Sequence, residues 1–188
     1  MRLVLVSASP RRRALLKKLG LKFSVRRPET PEKIRDAHFK KDLARTALAK
    51  INSVPFRPEE ALIACDTIVV CRGRVLGKPR GIKQAAEFLR LLSGRRHAVY
   101  SCLALKYQHG GPAVVRHKIA VTKVYFRGIS PAEIKAYVRS GAPYDKAGGY
   151  GIQDSLFARK ICGCYYNVMG LPVSVLIDML KAVKNKEK

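Results

Sequence analysis

The sequence predicts an α/β fold, on three observations. The apolar run Leu3-Val4-Leu5-Val6 reads as a buried strand, and it passes through a short polar turn into Ala14-Leu15-Leu16-Lys17-Lys18-Leu19, whose apolar residues have helical spacing. Two further apolar runs, Ala61-Leu62-Ile63-Ala64-Cys65 and Ile68-Val69-Val70-Cys71, are continuous rather than alternating, as expected of strands covered on both faces. Amphipathic helical stretches lie between and after them, and residues 97–108 and 113–127 read as two long strands joined at His109-Gly110-Gly111-Pro112.

In the first strand–turn–helix unit, Ser9 suits the N-cap and Pro10 the first helical position, and Gly20 ends the helix. Arg11, Arg12 and Arg13 then fill the first turn. Cations there oppose the helix dipole at up to ~1 kcal/mol each. A bound anion would remove the conflict, because free N–H groups, the hydroxyls of Ser7 and Ser9 and the guanidinium groups would converge on phosphate oxygens. The plainer reading is a solvated basic turn.

Residues 21–25 suggest a short strand, and Pro28-Glu29-Thr30-Pro31-Glu32 a loop. Its carboxylates either balance charge or offer a metal ligand near the basic turn. Residues 36–53 carry a helical stripe of Phe39, Leu43, Thr46, Ala47, Lys50 and Ile51, with Asp36 placed as N-cap and Lys50 at the edge, where a surface lysine is the plain reading. Asp66-Thr67 interrupts the central apolar run, and a carboxylate in such a setting is costly unless paired or bound to a cation. Arg72-Gly73-Arg74 makes a tight turn, after which Val75-Leu76-Gly77-Lys78-Pro79 leaves the sheet.

Residues 81–92 form an amphipathic helix with Ala85, Phe88, Leu89 and Leu92 inward. Ser130-Pro131-Ala132-Glu133 is a capping box opening a helix that stops at Gly141. The loop Tyr144-Asp145-Lys146-Ala147-Gly148-Gly149-Tyr150-Gly151-Ile152-Gln153 combines glycines, which admit close approach of backbone to a ligand, with polar side chains for specific contacts. Tyr165-Tyr166-Asn167-Val168-Met169-Gly170-Leu171-Pro172 leads into a last helix over 173–183 and a polar tail.

Composition bounds the function. The chain has 188 residues, 47% hydrophobic, enough for one sizeable domain. No apolar run approaches the ~20 residues of a membrane span, and the stretch before Ser9 is too short for a signal peptide, so a soluble cytoplasmic protein is expected. The formal net charge is +25, with nine basic residues and no acid in positions 1–28, a surface that attracts polyanions. This charge alone fits a non-enzymatic nucleic-acid-binding protein, but that alternative leaves a carboxylate at Asp66 without purpose. Cys65, Cys71, Cys102, Cys162 and Cys164 form no CxxC pair, which argues against structural zinc. The first three read as core residues, and any disulfide would join Cys162 or Cys164 to one of them.

Taken in order, Ser7-Ala8-Ser9-Pro10-Arg11-Arg12, Ala64-Cys65-Asp66-Thr67, Leu76-Gly77-Lys78-Pro79, Leu92-Ser93-Gly94, Asp145-Lys146-Ala147-Gly148, Gly151-Ile152-Gln153 and Tyr166-Asn167-Val168 with Gly170-Leu171-Pro172 resemble the Maf family of nucleotide pyrophosphatases, also called septum formation inhibitor proteins. The resemblance covers nearly the whole chain. It implies a single domain over 1–188, built as a long, mixed, twisted sheet in two lobes with a central cleft, flanked by helices and shared with the inosine triphosphate pyrophosphatases. It implies hydrolysis of a nucleoside triphosphate to monophosphate and pyrophosphate with a divalent metal, Mg²⁺ or Mn²⁺, with Asp66 as proton acceptor. Arg11, Arg12, Thr67 and Gln153 match positions tied to substrate choice, in the version that resembles the dTTP/UTP-hydrolysing branch. Glu32, Lys50 and Lys78 match further site positions. Asp66 and Glu32 are the expected metal ligands, and Ser7, Ser9 and Lys146 complete the expected substrate contacts. A homodimer is left open, and no nucleic acid or membrane partner is expected. Two positions depart from the family pattern: Ala14 replaces a usual glutamate, and Asp154 replaces the glycine usual after Gln153.

Overall fold

The computed structural model describes residues 1–30 and 34–184. Its centre is a seven-stranded mixed sheet. Strands β1 (Arg2–Val6), β2 (Phe23–Arg26), β3 (Glu60–Cys71), β4 (Arg74–Leu76), β5 (Arg96–Tyr107), β6 (Val114–Phe126) and β7 (Ala158–Cys162) lie in the order β2-β1-β3-β5-β6-β7, with β4 also against β3. The β2, β1 and β3 strands are parallel, and every later pairing is antiparallel. Helices α1 (Pro10–Lys18), α2 (Phe39–Asn52), α3 (Ile82–Leu92), α4 (Pro131–Arg139), α5 (Tyr165–Val168) and α6 (Val173–Lys184) flank the sheet.

The period-two alternation of β1 and β3 decides which helix each residue meets. Leu5, Ala61, Ile63 and Cys65 share a buried cluster with Leu15 and Leu16 of α1 and Leu176 of α6. Val4, Val6, Leu62, Ala64 and Ile68 pack on the opposite side against Leu43, Ala47 and Ile51 of α2. Further along β3, Val69 and Cys71 join a third cluster with Ala85, Phe88, Leu89 and Leu92 of α3 and Ile134 and Val138 of α4. Thus β3 contributes to all three cores, which explains its near-continuous apolar composition.

The local signals for helix ends hold where they are local. Ser9 caps α1, accepting from the Arg12 N–H at 3.4 Å with Pro10 next, and Ser130 with Glu133 forms a reciprocal capping box on α4. Ala14 is exposed on α1, which forms without the usual glutamate. Asp36 does not cap α2. A short 3-10 turn, Asp36–His38, precedes that helix, and the Asp36 carboxylate instead accepts from the Val75 N–H of β4 at 2.7 Å. The central run is not interrupted: Asp66 and Thr67 lie within β3, in register with Cys102 and Ser101 of β5. The stretch after Gly73 does not leave the sheet at once either. Arg72 and Gly73, at φ 50° and 75°, form a two-residue hairpin loop that returns β4 onto β3.

The outer strands are unequal. β7 pairs with β6 only over Lys123 to Phe126, so residues 114–122 have no strand beyond them among the described residues. Arg116, His117 and Lys118 are exposed there. All five cysteines are free thiols. Cys65, Cys71 and Cys102 are buried, and burial pushes the Cys102 thiol up to about 12. No helix among the described residues is long and apolar enough to cross a membrane.

Candidate active site

One edge of β3 is left open in the middle of the sheet. β1 pairs with it as far as Ala64, opposite Val6, and β4 takes over only at Val69. Residues 65–68 therefore face neither strand, and the chain leaving β1 turns across this gap at Ser7 and enters α1. Binding sites in sheets with parallel strands sit beyond the carboxyl ends of those strands. A cavity of about 610 Å³ opens here.

Strand alternation sends Asp66 and Thr67 to opposite sides of the gap. Asp66 points with Leu62 and Ala64 toward α2, and Lys50, in the last turn of α2, meets it: Nζ lies 2.6 Å from Oδ1. The two side chains are 6% and 7% exposed. The lysine is thus no surface residue, since the stripe that carries Ile51 into the core carries Lys50 to the carboxylate. Thr67 points the other way. Its hydroxyl lies 2.8 Å from that of Ser101, its register partner on β5. Ser101 Oγ in turn donates to the Asn167 carbonyl at 3.5 Å, and the Asn167 amide donates to Val99 O and Thr122 Oγ1 at 3.1 and 3.0 Å.

Arg12 crosses to this side and fixes the turn. Its Nε donates to Gly170 O at 2.8 Å, and its terminal nitrogens donate to Ser7 Oγ and Thr67 Oγ1, both at 3.3 Å. Ser7 Oγ also accepts from the Ser9 N–H at 3.1 Å. Arg11 reaches across the cavity to Asp145, pairing with its carboxylate and donating to its carbonyl at 3.0 Å. The guanidinium groups of Arg11 and Arg12 therefore have oxygen partners, and the cavity gathers them with Lys50, Lys78, Arg80 and Lys146.

The far wall is the glycine loop. Gly148, at φ +73°, sits so close to β3 that a Cβ would stand 2.8 Å from Val69 Cγ2. The Lys146 side chain is 11% exposed, and its Nζ donates to Ala142 O at 2.6 Å and Asp145 Oδ1 at 2.9 Å and lies 3.3 Å from Asp154 Oδ2. Burial works to raise the Asp145 carboxyl, but Lys146 and Arg11 outweigh it and hold it below its ordinary value. Gln153 lies on the rim of the cavity and donates through Nε2 to Asp154 Oδ2 at 3.3 Å. Behind the loop, Tyr150 Oη and His97 Nε2 are 2.7 Å apart, and burial pushes the imidazole down to about 4.

Ser7, Ser9, Arg11, Arg12, Lys50, Asp66, Thr67, Lys78, Lys146 and Gln153 all line this one cavity. Glu32 lies outside the described residues. Among the described residues no group of three or more His, Cys, Asp or Glu could hold a metal ion.

The sequence profile described as Maf-like protein matches residues 2–183. The chain belongs to the Maf-like family. A protein of Moorella thermoacetica named dTTP/UTP pyrophosphatase is 45% identical over 183 residues, 95% of this chain and 93% of the relative. Proteins of the same name from Syntrophomonas wolfei and Carboxydothermus hydrogenoformans are 43% and 41% identical, covering 94% and 96% of this chain and 94% and 98% of theirs. In this Maf-like chain the motifs gave no role to Asn167, did not include Ser101 and did not pair Asp145 with Arg11, and all three support cavity residues from behind or across. A serine inside an apolar strand opposite Thr67 was the available signal for Ser101.

Proposed function

We propose that the protein hydrolyses dTTP and UTP, and modified forms of these nucleotides, to the monophosphate and pyrophosphate. The observation that carries this reading is the Lys50–Asp66 pair, a buried carboxylate opening onto a cavity whose other polar groups are mostly cations and hydroxyls. The names of the relatives support the substrate class.

Arg11 and Arg12 bind triphosphate oxygens as forks and Lys78 as a point charge, Ser7, Ser9 and the N–H groups of the α1 turn complete the anion site, and Lys146 holds the glycine loop in place through Ala142, Asp145 and Asp154. Thr67, held by Arg12 and Ser101, orients the substrate beside Asp66. Asp66 accepts the proton of a water that attacks the α-phosphorus, while Lys50 fixes the carboxylate's direction through Oδ1. Pyrophosphate leaves with its charge held by the arginines. Mg²⁺, or Mn²⁺, fits the donor set, because such an ion keeps most of its waters and asks for one or two carboxylates plus substrate phosphates rather than a protein cage. Asp66, and Glu32 on the strength of the resemblance, would hold it, and its chemistry there is to make water a better proton donor. This reading takes the chain as one domain of two lobes, with α1, α2 and α6 on one side of the cavity and α3 and α4 on the other, working in the cytoplasm as a monomer or homodimer.

Gln153 offers both a donor and an acceptor to the base, which match the O4/N3–H edge of uracil and thymine. Pyrophosphate release from a panel of nucleotides tests the proposal. dTTP and UTP are expected to exceed CTP and the purine triphosphates, and Gln153→Ala is expected to narrow the gap. Preference for GTP or ATP, or equal slowing of all nucleotides in Gln153→Ala, would overturn it.

A further inference from the structure

We infer that Asp154 is a positioning residue that fixes which way round the Gln153 amide lies, and that this orientation makes the site accept uracil and thymine and refuse cytosine. The inference rests on the reading of Gln153 as the residue that meets the base.

The carboxylate of Asp154 is anchored. Its Oδ2 lies 3.3 Å from Lys146 Nζ, and that ammonium is itself nearly buried and held by Ala142 O and Asp145. The same oxygen occupies the space above Gly151, where an added Cβ would overlap both Asp154 Oδ2 and Lys146 Cε. The backbone beneath is tied as well. Asp154 N–H and Ser155 Oγ both donate to Gly151 O, at 3.2 and 2.8 Å, and Gly151 N–H donates to Tyr137 Oη at 2.9 Å.

Gln153 Nε2 donates to that anchored oxygen at 3.3 Å. An ionised carboxylate only accepts hydrogen bonds. The amide can therefore meet Asp154 with its NH₂ group, whereas the opposite orientation would set the amide oxygen against the carboxylate oxygen. One N–H is used in this contact, leaving a second N–H and Oε1 for the base. In that orientation the second N–H can donate to O4 of uracil or thymine while Oε1 accepts from N3–H. Cytosine has the reverse pattern, an N4 amino donor and an N3 acceptor. It would be matched equally well by the same glutamine turned over. A lone glutamine therefore reads both pyrimidines by flipping, and one neighbouring carboxylate removes the second choice.

The test is the ratio of kcat/KM for UTP to that for CTP in wild type, Gln153→Ala, Asp154→Asn and Asp154→Glu. An asparagine side chain can donate or accept, so it tolerates either glutamine orientation. In Asp154→Asn the ratio is expected to fall about tenfold, with kcat/KM for CTP rising in absolute terms. Asp154→Glu, which keeps an acceptor-only head, is expected to keep UTP ahead. A merely structural role for Asp154 would lower both nucleotides alike, and a ratio within about twofold of wild type in Asp154→Asn overturns the inference. If Gln153→Ala collapses the ratio and Asp154→Asn does not, the role of Asp154 alone is wrong. If Gln153→Ala leaves the ratio intact, or wild type does not prefer UTP, the reading of Gln153 falls and takes this inference with it.

Discussion

Replacing Lys50 by methionine removes the ammonium facing Asp66 and keeps most of the side-chain volume. The two groups are 2.6 Å apart, with side chains 6% and 7% exposed. Removing one partner of such a pair strands the other charge and costs about 3–5 kcal/mol when both are fully enclosed. Asp66 also faces the cavity, where water relieves part of that cost, so the expected loss is about 2–3 kcal/mol. In a chain of 188 residues, 1 kcal/mol corresponds to roughly 2–4 °C in Tm. Lys50→Met should therefore unfold about 4–12 °C below wild type. Asp66→Asn leaves the ammonium against an amide, a milder mismatch of about 1–2 kcal/mol. The double variant removes both charges of this pair and should be more stable than Lys50→Met alone. Denaturant unfolding of the four proteins gives the interaction term directly, expected at about 1 kcal/mol or more. If the two single effects add to within about 0.5 kcal/mol, the pair is not coupled and the argument from burial fails.

Asp66→Asn should lower turnover by at least ~10²-fold while unfolding cooperatively, since a general base is typically worth ~10²–10⁴-fold; excess chelator should abolish wild-type hydrolysis, and a near-normal rate in either experiment would remove the carboxylate or the metal from the mechanism. Burial holds His97 neutral down to about 4 in the folded protein, whereas its ordinary value is 6.5. The unfolded chain therefore takes up this proton first, so His97's contribution is intact above the ordinary value and is lost as pH falls toward the folded one, by about 3 kcal/mol in total. Unfolding free energies measured across that window should slope less in His97→Gln, and an unchanged slope would refute the assignment.

Elements that announce themselves through neighbouring residues were readable in the sequence. Ser9-Pro10 and Ser130-Pro131 with Glu133 fix helix starts by contacts within one turn, and the inward face of α3 follows from a single periodicity. Residues whose partners come from elsewhere in the chain were not readable in this way. Asp36 looks like a cap until β4 supplies an N–H for it. Asp42 lies fully buried in α2 because Arg35 and Arg45 close over it, a pairing that hydrophobic spacing does not register. β7 carries Arg159 and Lys160 in the middle of its five residues and so shows no apolar run, and α5 spans four residues, too few to show a helical period. The basic turn with Ser7, Ser9, Arg11 and Arg12, and the carboxylate of Asp66, stood out on residue chemistry, whereas Lys50, Thr67 and Lys78 stood out only as matches to family motifs. What the sequence could not show is that Lys50 and Asp66 face each other, because helix and strand periods locate each residue on its own element and not across the gap between them.

The unpaired outer half of β6 bears on how the protein behaves in concentrated solution. Among the described residues no strand pairs with the outer side of residues 114–120, which leaves their backbone groups open to an extended chain that comes alongside. Arg116, His117 and Lys118 stand on that stretch, on a protein of net charge +25, so two copies approaching edge to edge bring like charges together. That protection is electrostatic and depends on range: the screening length falls from about 10 Å at 0.1 M salt to about 3 Å at 1 M. Val115 and Val121, both exposed on the same strand, remain adhesive when the repulsion is screened. The chain should therefore stay dispersed best in dilute buffer, and concentrated salt should bring on strand-to-strand association well before it unfolds the sheet.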